Sequence, residues 1–212
     1  MLELGLKILL AYLLGSLVGS LLLGQWRGVD IREQGSGNAG GTNALRTQGW
    51  KFALGVMVID VGKAIVAVGM LPGLALPLVG LDAQVPRDWL AVACAVAVVV
   101  GHVYPVWYEF RGGKGAATLI GAVAVLAPAA LLPVLAVWLC CVLLTGYVGL
   151  GTMLGTATLP VYFAVIDVEG IALPTFGLVM TAFVAYTHRS NIARMRLGHE
   201  NRARRLWLLR PR

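Results

Sequence analysis

Three polar, glycine-rich segments interrupt an otherwise apolar chain, and the residue types in each suit the binding of an anion. The first is residues 35–43, which read GSGNAGGTN, and Arg46 follows it. Glycines accept positive φ angles and let backbone N–H groups approach a ligand, and the Ser, Asn and Thr side chains add short donors. A flexible linker is the alternative, but a linker needs neither two asparagines nor a threonine and an arginine. We therefore predict an anion-binding loop here.

The second segment comprises residues 101–105 (GHVYP) and 110–118 (FRGGKGAAT). Three glycines surround Lys114 and lead into an apolar stretch, so backbone donors, a helix N-terminus and a point charge can all be directed at one phosphate. The segment is not a nucleotide-binding P-loop, because Tyr108 stands where the first glycine of GxxxxGK[ST] belongs and Gly115 follows the lysine. Nucleotide hydrolysis is therefore not indicated.

The third segment is residues 188–201, HRSNIARMRLGHEN. If it is helical, His188 and Asn191 share a face one turn apart, and Arg189 or Arg194 adds charge nearby. The alternative is that each histidine is an interfacial anchor, and this reading suits His199 best, because that residue stands among arginines.

Several common enzyme signatures are absent from the sequence. The residues found five positions after the three histidines are Trp107, Ala193 and Arg204, so the His-x4-Asp dyad of thioester-dependent glycerolipid acyltransferases is missing. There is no H-E-x-x-H motif or carboxylate cluster for a metal, and no G-x-S-x-G elbow for a serine nucleophile. We predict no metal, no cofactor and no covalent acyl-enzyme.

The elements that position these segments are apolar helices. The 212 residues are 58% hydrophobic with a mean hydropathy of +0.81, and only 13% are charged, against about 25% in soluble domains. Crossing the bilayer takes about 20 apolar residues. We predict an all-α polytopic membrane bundle with about seven spans, near residues 2–23, 52–70, 89–108, 116–131, 133–149, 152–166 and 171–187.

Prolines and glycines interrupt the last four spans, so five or six crossings remain an alternative. The first span is predicted to be retained rather than cleaved as a signal peptide, and residues 1–212 to form one domain. Gly15 and Gly19, at four-residue spacing, predict close packing of the first helix against a neighbour. Cys94, Cys140 and Cys141 lie in apolar runs and predict no disulfide or redox role.

The basic residues predict an orientation. Fourteen of the 17 Lys and Arg residues fall on one side of the predicted spans, and eight of these belong to the tail 188–212. The positive-inside rule therefore places the N-terminus outside and the tail in the cytoplasm. The same rule accounts for the excess of basic over acidic residues, 17 to 10, so nucleic acid is not predicted as a partner, whereas anionic lipid headgroups are suited to it.

Asp60 and Lys63 lie one turn apart in the second span, near the middle of the membrane, where an unpaired charge is costly. We predict that they pair with one another. Two roles are left open for the pair, which either holds helices together or lines a polar cavity beside the site.

Taken together, the three segments and the Asp60-x-x-Lys63 pair resemble the PlsY family of bacterial acyl-phosphate:glycerol-3-phosphate acyltransferases over nearly the whole chain. The resemblance implies transfer of an acyl group from long-chain acyl-phosphate to the 1-hydroxyl of sn-glycerol 3-phosphate, giving lysophosphatidic acid and phosphate. It also implies the inner face of the bacterial inner membrane and no acyl-CoA. It does not settle the oligomeric state.

The resemblance also implies site residues. Ser36, Arg46, His188 and Asn191 are expected to be catalytic, and Asp60, Lys63 and Glu200 structural. Substrate binding is expected at Gly35, Gly37, Asn38, Gly40, Thr42, Asn43, His102, Gly112, Gly113, Lys114, Gly115 and Thr118. One departure stands out, because relatives usually carry an arginine and two serines near 145–153, where this chain has Gly146, Gly149 and Thr152.

An acyl-phosphate is a mixed anhydride with a good leaving group, so positioning alone can supply roughly 7–11 kcal/mol of the barrier. The proton acceptor is either His188 or a phosphate oxygen of the substrate, and the lack of a nearby carboxylate favours the phosphate. A transporter of phosphorylated solutes and a non-enzymatic scaffold are the competing classes. The one-sided polar segments and the absence of matching broken helices in two halves speak against transport.

Overall fold

The computed structural model describes residues 1–204 and 206–209, and within them the chain is helical with no β-strand. The prediction of an all-α fold is confirmed. The structure contains two compact units, Met1–Leu126 and Ala127–Arg212. The α-helices of the described residues are α1 (Leu2–Gly15), α2 (Gly19–Arg27), α3 (Gly41–Gln48), α4 (Trp50–Gly69), α5 (Arg87–Val103), α6 (Ala116–Leu126), α7 (Leu131–Thr145), α8 (Val148–Val165), α9 (Ala172–Thr187) and α10 (Arg189–Arg196).

In the first unit, α4 packs against α1, α2, α3, α5 and α6, and α1 also packs along α5. Glycines permit the closest crossings. A Cβ at Gly15 would overlap the Val98 carbonyl, and a Cβ at Gly19 would lie 2.9 Å from the Val56 carbonyl oxygen. The close packing predicted for these two glycines is confirmed, because any larger residue would push the helix axes apart.

The predicted first span, residues 2–23, is not one straight helix. α1 and α2 meet at a bend of 43° across residues 16–18. Lys63 of α4 donates to the carbonyl oxygens of Gly15 and Leu17 at 2.8 and 2.9 Å, and Asp60 accepts from the Gly19 N–H at 3.0 Å. The α4 pair thus satisfies backbone groups on both sides of the break, with a cation at the C-terminus of α1 and an anion at the N-terminus of α2.

In the second unit, α8 packs against both α7 and α9, and α10 contacts α8 and α9. Gly155 faces α7 closely, since a Cβ there would lie 2.8 Å from the Val134 carbonyl oxygen. The chain after α10 returns to the turn between α7 and α8. Ala203 donates its N–H to the Gly146 carbonyl at 2.7 Å, and the Trp207 indole donates to the Leu144 carbonyl at 3.0 Å.

Among the described residues, four helical segments are long and apolar enough to cross a membrane, namely Trp50–Gly73, Arg87–Tyr108, Pro128–Thr145 and Val148–Val165. The bent α1–α2 pair makes a fifth if it is one span, and Ala116–Leu126 and Ala172–Thr187 are shorter apolar helices. The predicted spans 116–131 and 133–149 end earlier than expected. α6 stops before Ala127-Pro128, and α7 stops at Gly146, whose φ is +76°. The number of crossings remains a prediction.

Candidate active site

The first glycine-rich segment is held in shape by one buried side chain, Asn43. Its amide oxygen accepts from the Ser36 N–H at 2.9 Å, and its amide nitrogen donates to the carbonyl oxygens of Ile31 and Gln34 at 3.1 and 2.9 Å. Only 2% of Asn43 is exposed. Its amide closes the turn that presents Ser36, so the structure gives this residue a loop-shaping role beside the binding role expected from the sequence.

Two glycines of this loop need their flexibility. Gly35 and Gly37 have φ of +58° and +71°, and a Cβ at Gly35 would also overlap the Asn43 amide oxygen. Further along, Gly40 forms the N-cap of α3, and in the part of the chain that the structure describes no side chain caps the start of that helix. Residues 40–42 therefore direct a helix N-terminus, with its partial positive charge, out of the loop.

Arg32, which precedes the first segment, contacts the chain between the two parts of the second segment. Its guanidinium donates to both carboxylate oxygens of Asp30 and to the Tyr108 carbonyl at 3.1 Å. The hydrogen bonds from Arg32 hold the pKa of the Asp30 carboxyl below its ordinary value, and Asp30 in turn raises the pKa of Arg32. The sequence alone does not predict this interaction between Arg32 and the Tyr108 carbonyl, because it shows Arg32 only as one of several basic residues on the predicted inside face.

The glycines around Lys114 fold back onto the end of α5. Gly112 and Gly113 donate their N–H groups to the carbonyl oxygens of Val103 and His102, both at 3.1 Å. A Cβ at Gly113 would overlap His102 Nε2 and would lie 3.1 Å from the Ala39 carbonyl oxygen. The second segment therefore lies directly against the first, and only glycine fits at the point of contact. Gly115, with φ of +86°, immediately precedes α6, which begins at Ala116.

Beneath this contact lies a buried charged cluster. Lys63 Nζ lies 3.0 Å from Asp60 Oδ1 and 2.9 Å from His102 Nδ1, and His102 Nδ1 is 3.3 Å from the same carboxylate oxygen. All three side chains are at most 7% exposed. The predicted pairing of Asp60 with Lys63 is confirmed. The involvement of His102 was not foreseen, because it lies 39 residues from Lys63 in the sequence.

The remaining predicted residues of the first unit take different positions. Arg46 and Thr42 are exposed on α3, and Ser36, Asn38 and Lys114 are half-buried. Thr118 is fully buried in α6, and its hydroxyl has no hydrogen-bond partner among the described residues. The structure thus brings the 35–43 and 112–115 segments together with His102, while Thr118 lies in the packed interior of the unit.

His188 lies in the second unit, at the junction of α9 and α10, and is 4% exposed. Its Nδ1 is 2.8 Å from the Val184 carbonyl oxygen, and because a carbonyl only accepts, Nδ1 carries the proton. In the neutral ring the proton is therefore on Nδ1 and not on Nε2. The Val184 carbonyl thus fixes the tautomer and orientation of His188, a task that a carboxylate performs in other sites.

Asn191 follows one turn later and is oriented by Glu200. The carboxylate accepts from the Asn191 amide at 2.6 Å and from Arg194 Nε at 2.6 Å. Gly149 packs against the Asn191 side chain, since a Cβ at Gly149 would lie 2.9 Å from Asn191 Nδ2. Gly149 therefore leaves room for the Asn191 side chain, and Glu200 accepts a hydrogen bond from it, while the structural role expected for Glu200 stays a prediction.

Comparison with known proteins assigns the family. The family model described as glycerol-3-phosphate acyltransferase matches residues 5–198. The chain is 36% identical to the glycerol-3-phosphate acyltransferase of Chlorobaculum tepidum, covering 92% of this chain and 94% of the relative. It is 40% identical to that of Synechococcus elongatus, covering 92% and 91%.

Two crystal structures of PlsY, an integral membrane glycerol 3-phosphate acyltransferase, resemble this fold. The glycerol 3-phosphate form has a TM-score of 0.80 at 32% identity, and the lysophosphatidic acid form has 0.78 at 31%, each covering 94% of both chains. With several helices apolar enough to cross a bilayer, this chain is likewise an integral membrane protein. On these grounds the chain belongs to the glycerol-3-phosphate acyltransferase family typified by PlsY.

Proposed function

We propose that this protein transfers a fatty acyl group from acyl-phosphate to the 1-hydroxyl of sn-glycerol 3-phosphate, giving lysophosphatidic acid and inorganic phosphate. The observation that carries the proposal is the contact of the two glycine-rich segments at Gly113 and Ala39, above the buried His102. This contact gathers glycine backbone, the uncapped start of α3 and the Lys114 segment in one unit. Such a set of donors suits two phosphorylated substrates.

In the proposed reaction the hydroxyl oxygen of glycerol 3-phosphate attacks the acyl carbonyl carbon, and the bond from that carbon to the phosphate oxygen breaks. The hydroxyl proton ends on the released phosphate, so atoms and charge balance without a cofactor or metal. Ser36 and Arg46 act at the acyl-phosphate, where a cation stabilises charge growing on the leaving group. The loop from Gly112 to Gly115 holds the acceptor's phosphate.

His188 and Asn191 position the acceptor in this proposal. The hydrogen bond from Nδ1–H to the Val184 carbonyl fixes the orientation of the His188 ring, and positioning of the acceptor hydroxyl is the role that we assign to it. The departing phosphate is the final proton acceptor, since its oxygens are basic once the anhydride bond opens. The motif residues occur in both compact units, and we propose that residues 1–212 act as one acyltransferase domain.

The donor can be tested directly. Purified protein is incubated with radiolabelled glycerol 3-phosphate and either palmitoyl-phosphate or palmitoyl-CoA, and lysophosphatidic acid is counted. We expect product with palmitoyl-phosphate alone, and Arg46→Ala serves as the variant with impaired turnover. Comparable rates with both donors would remove the donor assignment and leave the acyltransferase family intact. No product with either donor would contradict the proposed reaction.

We propose further that the site faces the cytoplasm at the bacterial inner membrane, as the distribution of basic residues predicts. Two exposed residues make a matched pair of reporters, Glu33 just before the first segment and Ala83 in the loop before α5. In a cysteine-free background, Ala83→Cys should react with an impermeant thiol reagent in intact cells, and Glu33→Cys only after the inner face is opened. The reverse pattern would invert the orientation.

A further inference from the structure

The neighbours of Lys63 determine the protonation state of its amine. Nζ lies 2.8 Å from the Gly15 carbonyl oxygen, 2.9 Å from the Leu17 carbonyl oxygen and 3.0 Å from Asp60 Oδ1. These oxygens only accept hydrogen bonds, and Asp60 Oδ1 also receives the Gly19 N–H, as an ionised carboxylate does. Three acceptors require three protons, so Lys63 is an ammonium with no lone pair.

That conclusion determines the tautomer of His102. Its Nδ1 lies 2.9 Å from Lys63 Nζ, closer than the 3.3 Å to Asp60 Oδ1, so an N–H at Nδ1 would be held against an ammonium that cannot accept it. Nδ1 therefore carries the lone pair and shares the third ammonium proton with Asp60. A neutral ring with its lone pair on Nδ1 has its proton on Nε2.

The proton on Nε2 points toward the second glycine-rich segment. A Cβ at Gly113 would overlap Nε2, so this ring edge lies directly against the backbone of the loop that precedes Lys114. Among the described residues nothing accepts a hydrogen bond from Nε2. The ring is 2% exposed, so it has little freedom to turn away.

We propose that Asp60 and Lys63 are positioning residues that lock His102 as the Nε2–H tautomer, so that this N–H donates to the phosphate of glycerol 3-phosphate in the Gly112–Gly115 loop. The assignment of the ligand rests on the proposed function, whereas the assignment of the tautomer rests on the geometry alone. In this proposal Lys63 does not touch the substrate. Its ammonium disfavours the His102 tautomer in which Nδ1 carries the proton.

Nitrogen-15 NMR of histidine-labelled protein tests the tautomer without any turnover. The ring nitrogens of His102 are assigned by their loss in the His102→Gln variant. We expect an Nε2–H signal with an unprotonated Nδ1, and addition of glycerol 3-phosphate, but not glycerol, should shift the Nε2 resonance. An Nδ1–H ring in the wild-type protein would overturn the proposal, as would an identical response to glycerol.

Two buried lysines form a matched pair for mutation. Lys7 is 1% exposed and pairs with Glu3 at 2.7 Å, away from the glycine-rich segments, so Lys7→Met removes a buried ammonium without touching His102. In Lys63→Met, Asp60 at 3.3 Å becomes the one charged neighbour of Nδ1 among the described residues, and its carboxylate favours a proton on Nδ1. We expect KM for glycerol 3-phosphate to rise roughly 10- to 150-fold in Lys63→Met alone, with KM for acyl-phosphate unchanged.

The His102 variants keep the test decisive if Lys63→Met fails to fold. A glutamine amide nitrogen can occupy the Nε2 position, whereas asparagine reaches only the Nδ1 position. His102→Gln should therefore retain affinity for glycerol 3-phosphate that His102→Asn loses. Equal loss in both variants, with both folded, would overturn the role of Nε2. Failure of wild-type turnover with acyl-phosphate would refute the proposed function and leave the NMR result standing.

Discussion

Asn43 offers the clearest separation of a loop-shaping role from a substrate-binding one. Asn43→Asp keeps the oxygen that accepts from the Ser36 N–H but puts a second oxygen where the amide nitrogen donates to Ile31 and Gln34. Two hydrogen bonds are lost, at about 0.5–1.5 kcal/mol each, so about 1–3 kcal/mol of unfolding free energy should go even before the repulsion between oxygens is counted. The buried site gives the new charge little water.

The assay combines thermal unfolding in detergent with steady-state kinetics. If Asn43 shapes the loop, Asn43→Asp should lower the unfolding temperature and kcat together, because Ser36 loses its place. Thr42→Ala on the exposed side of α3 is the matched control and should leave the unfolding temperature unchanged. Unchanged stability in Asn43→Asp with a raised KM would refute this reasoning and make the amide a substrate ligand.

Three further variants test the remaining contacts. Lys114→Ala should raise KM for glycerol 3-phosphate by roughly 10- to 150-fold through loss of a charge-assisted contact. If steady-state kinetics gave a KM within about twofold of wild type, Lys114 would serve only to set the membrane orientation. Gly149→Ser should lower kcat because its Cβ meets Asn191, while an unaffected rate would show that the backbone yields. Arg32→Gln should cost about 0.2–1 kcal/mol near neutral pH in unfolding assays. Because the pKa of Asp30 is lowered in the fold, that contribution is present above its ordinary value of 3.8 and is lost at more acid pH, so the variant and wild type should converge there.

The helices could be read from the sequence because apolar runs of membrane length leave few alternatives to a helix. The breaks were harder to predict. At the bend between α1 and α2, the backbone is hydrogen-bonded by Asp60 and Lys63, which lie more than 40 residues away and cannot be identified as partners from residues 16–18. Glycine at 146 did end α7 as its type allows, but the predicted span ran past it.

The site shows the same division. The glycine-rich segments were visible because their composition has a direct chemical meaning. The role of each side chain within these segments cannot be predicted from composition. The three hydrogen bonds of Asn43 and the contact of Gly113 with His102 are set by tertiary packing. The tautomers of His102 and His188 follow only from neighbours that the sequence places far away or on the backbone.

The bend between α1 and α2, whose backbone groups are hydrogen-bonded by Asp60 and Lys63, has a consequence for membrane insertion during synthesis. The chain is synthesised from its N-terminus, so the carbonyls of Gly15 and Leu17 and the N–H of Gly19 exist before Lys63 and Asp60 do. An unsatisfied backbone group in the bilayer interior costs several kcal/mol. We expect the nascent segment to enter the bilayer as a straight helix and to bend only when α4 docks. Force measurements on ribosome-bound chains of increasing length should then show a pulling event as residues 60–63 enter the membrane, and the event should vanish with Lys63→Met.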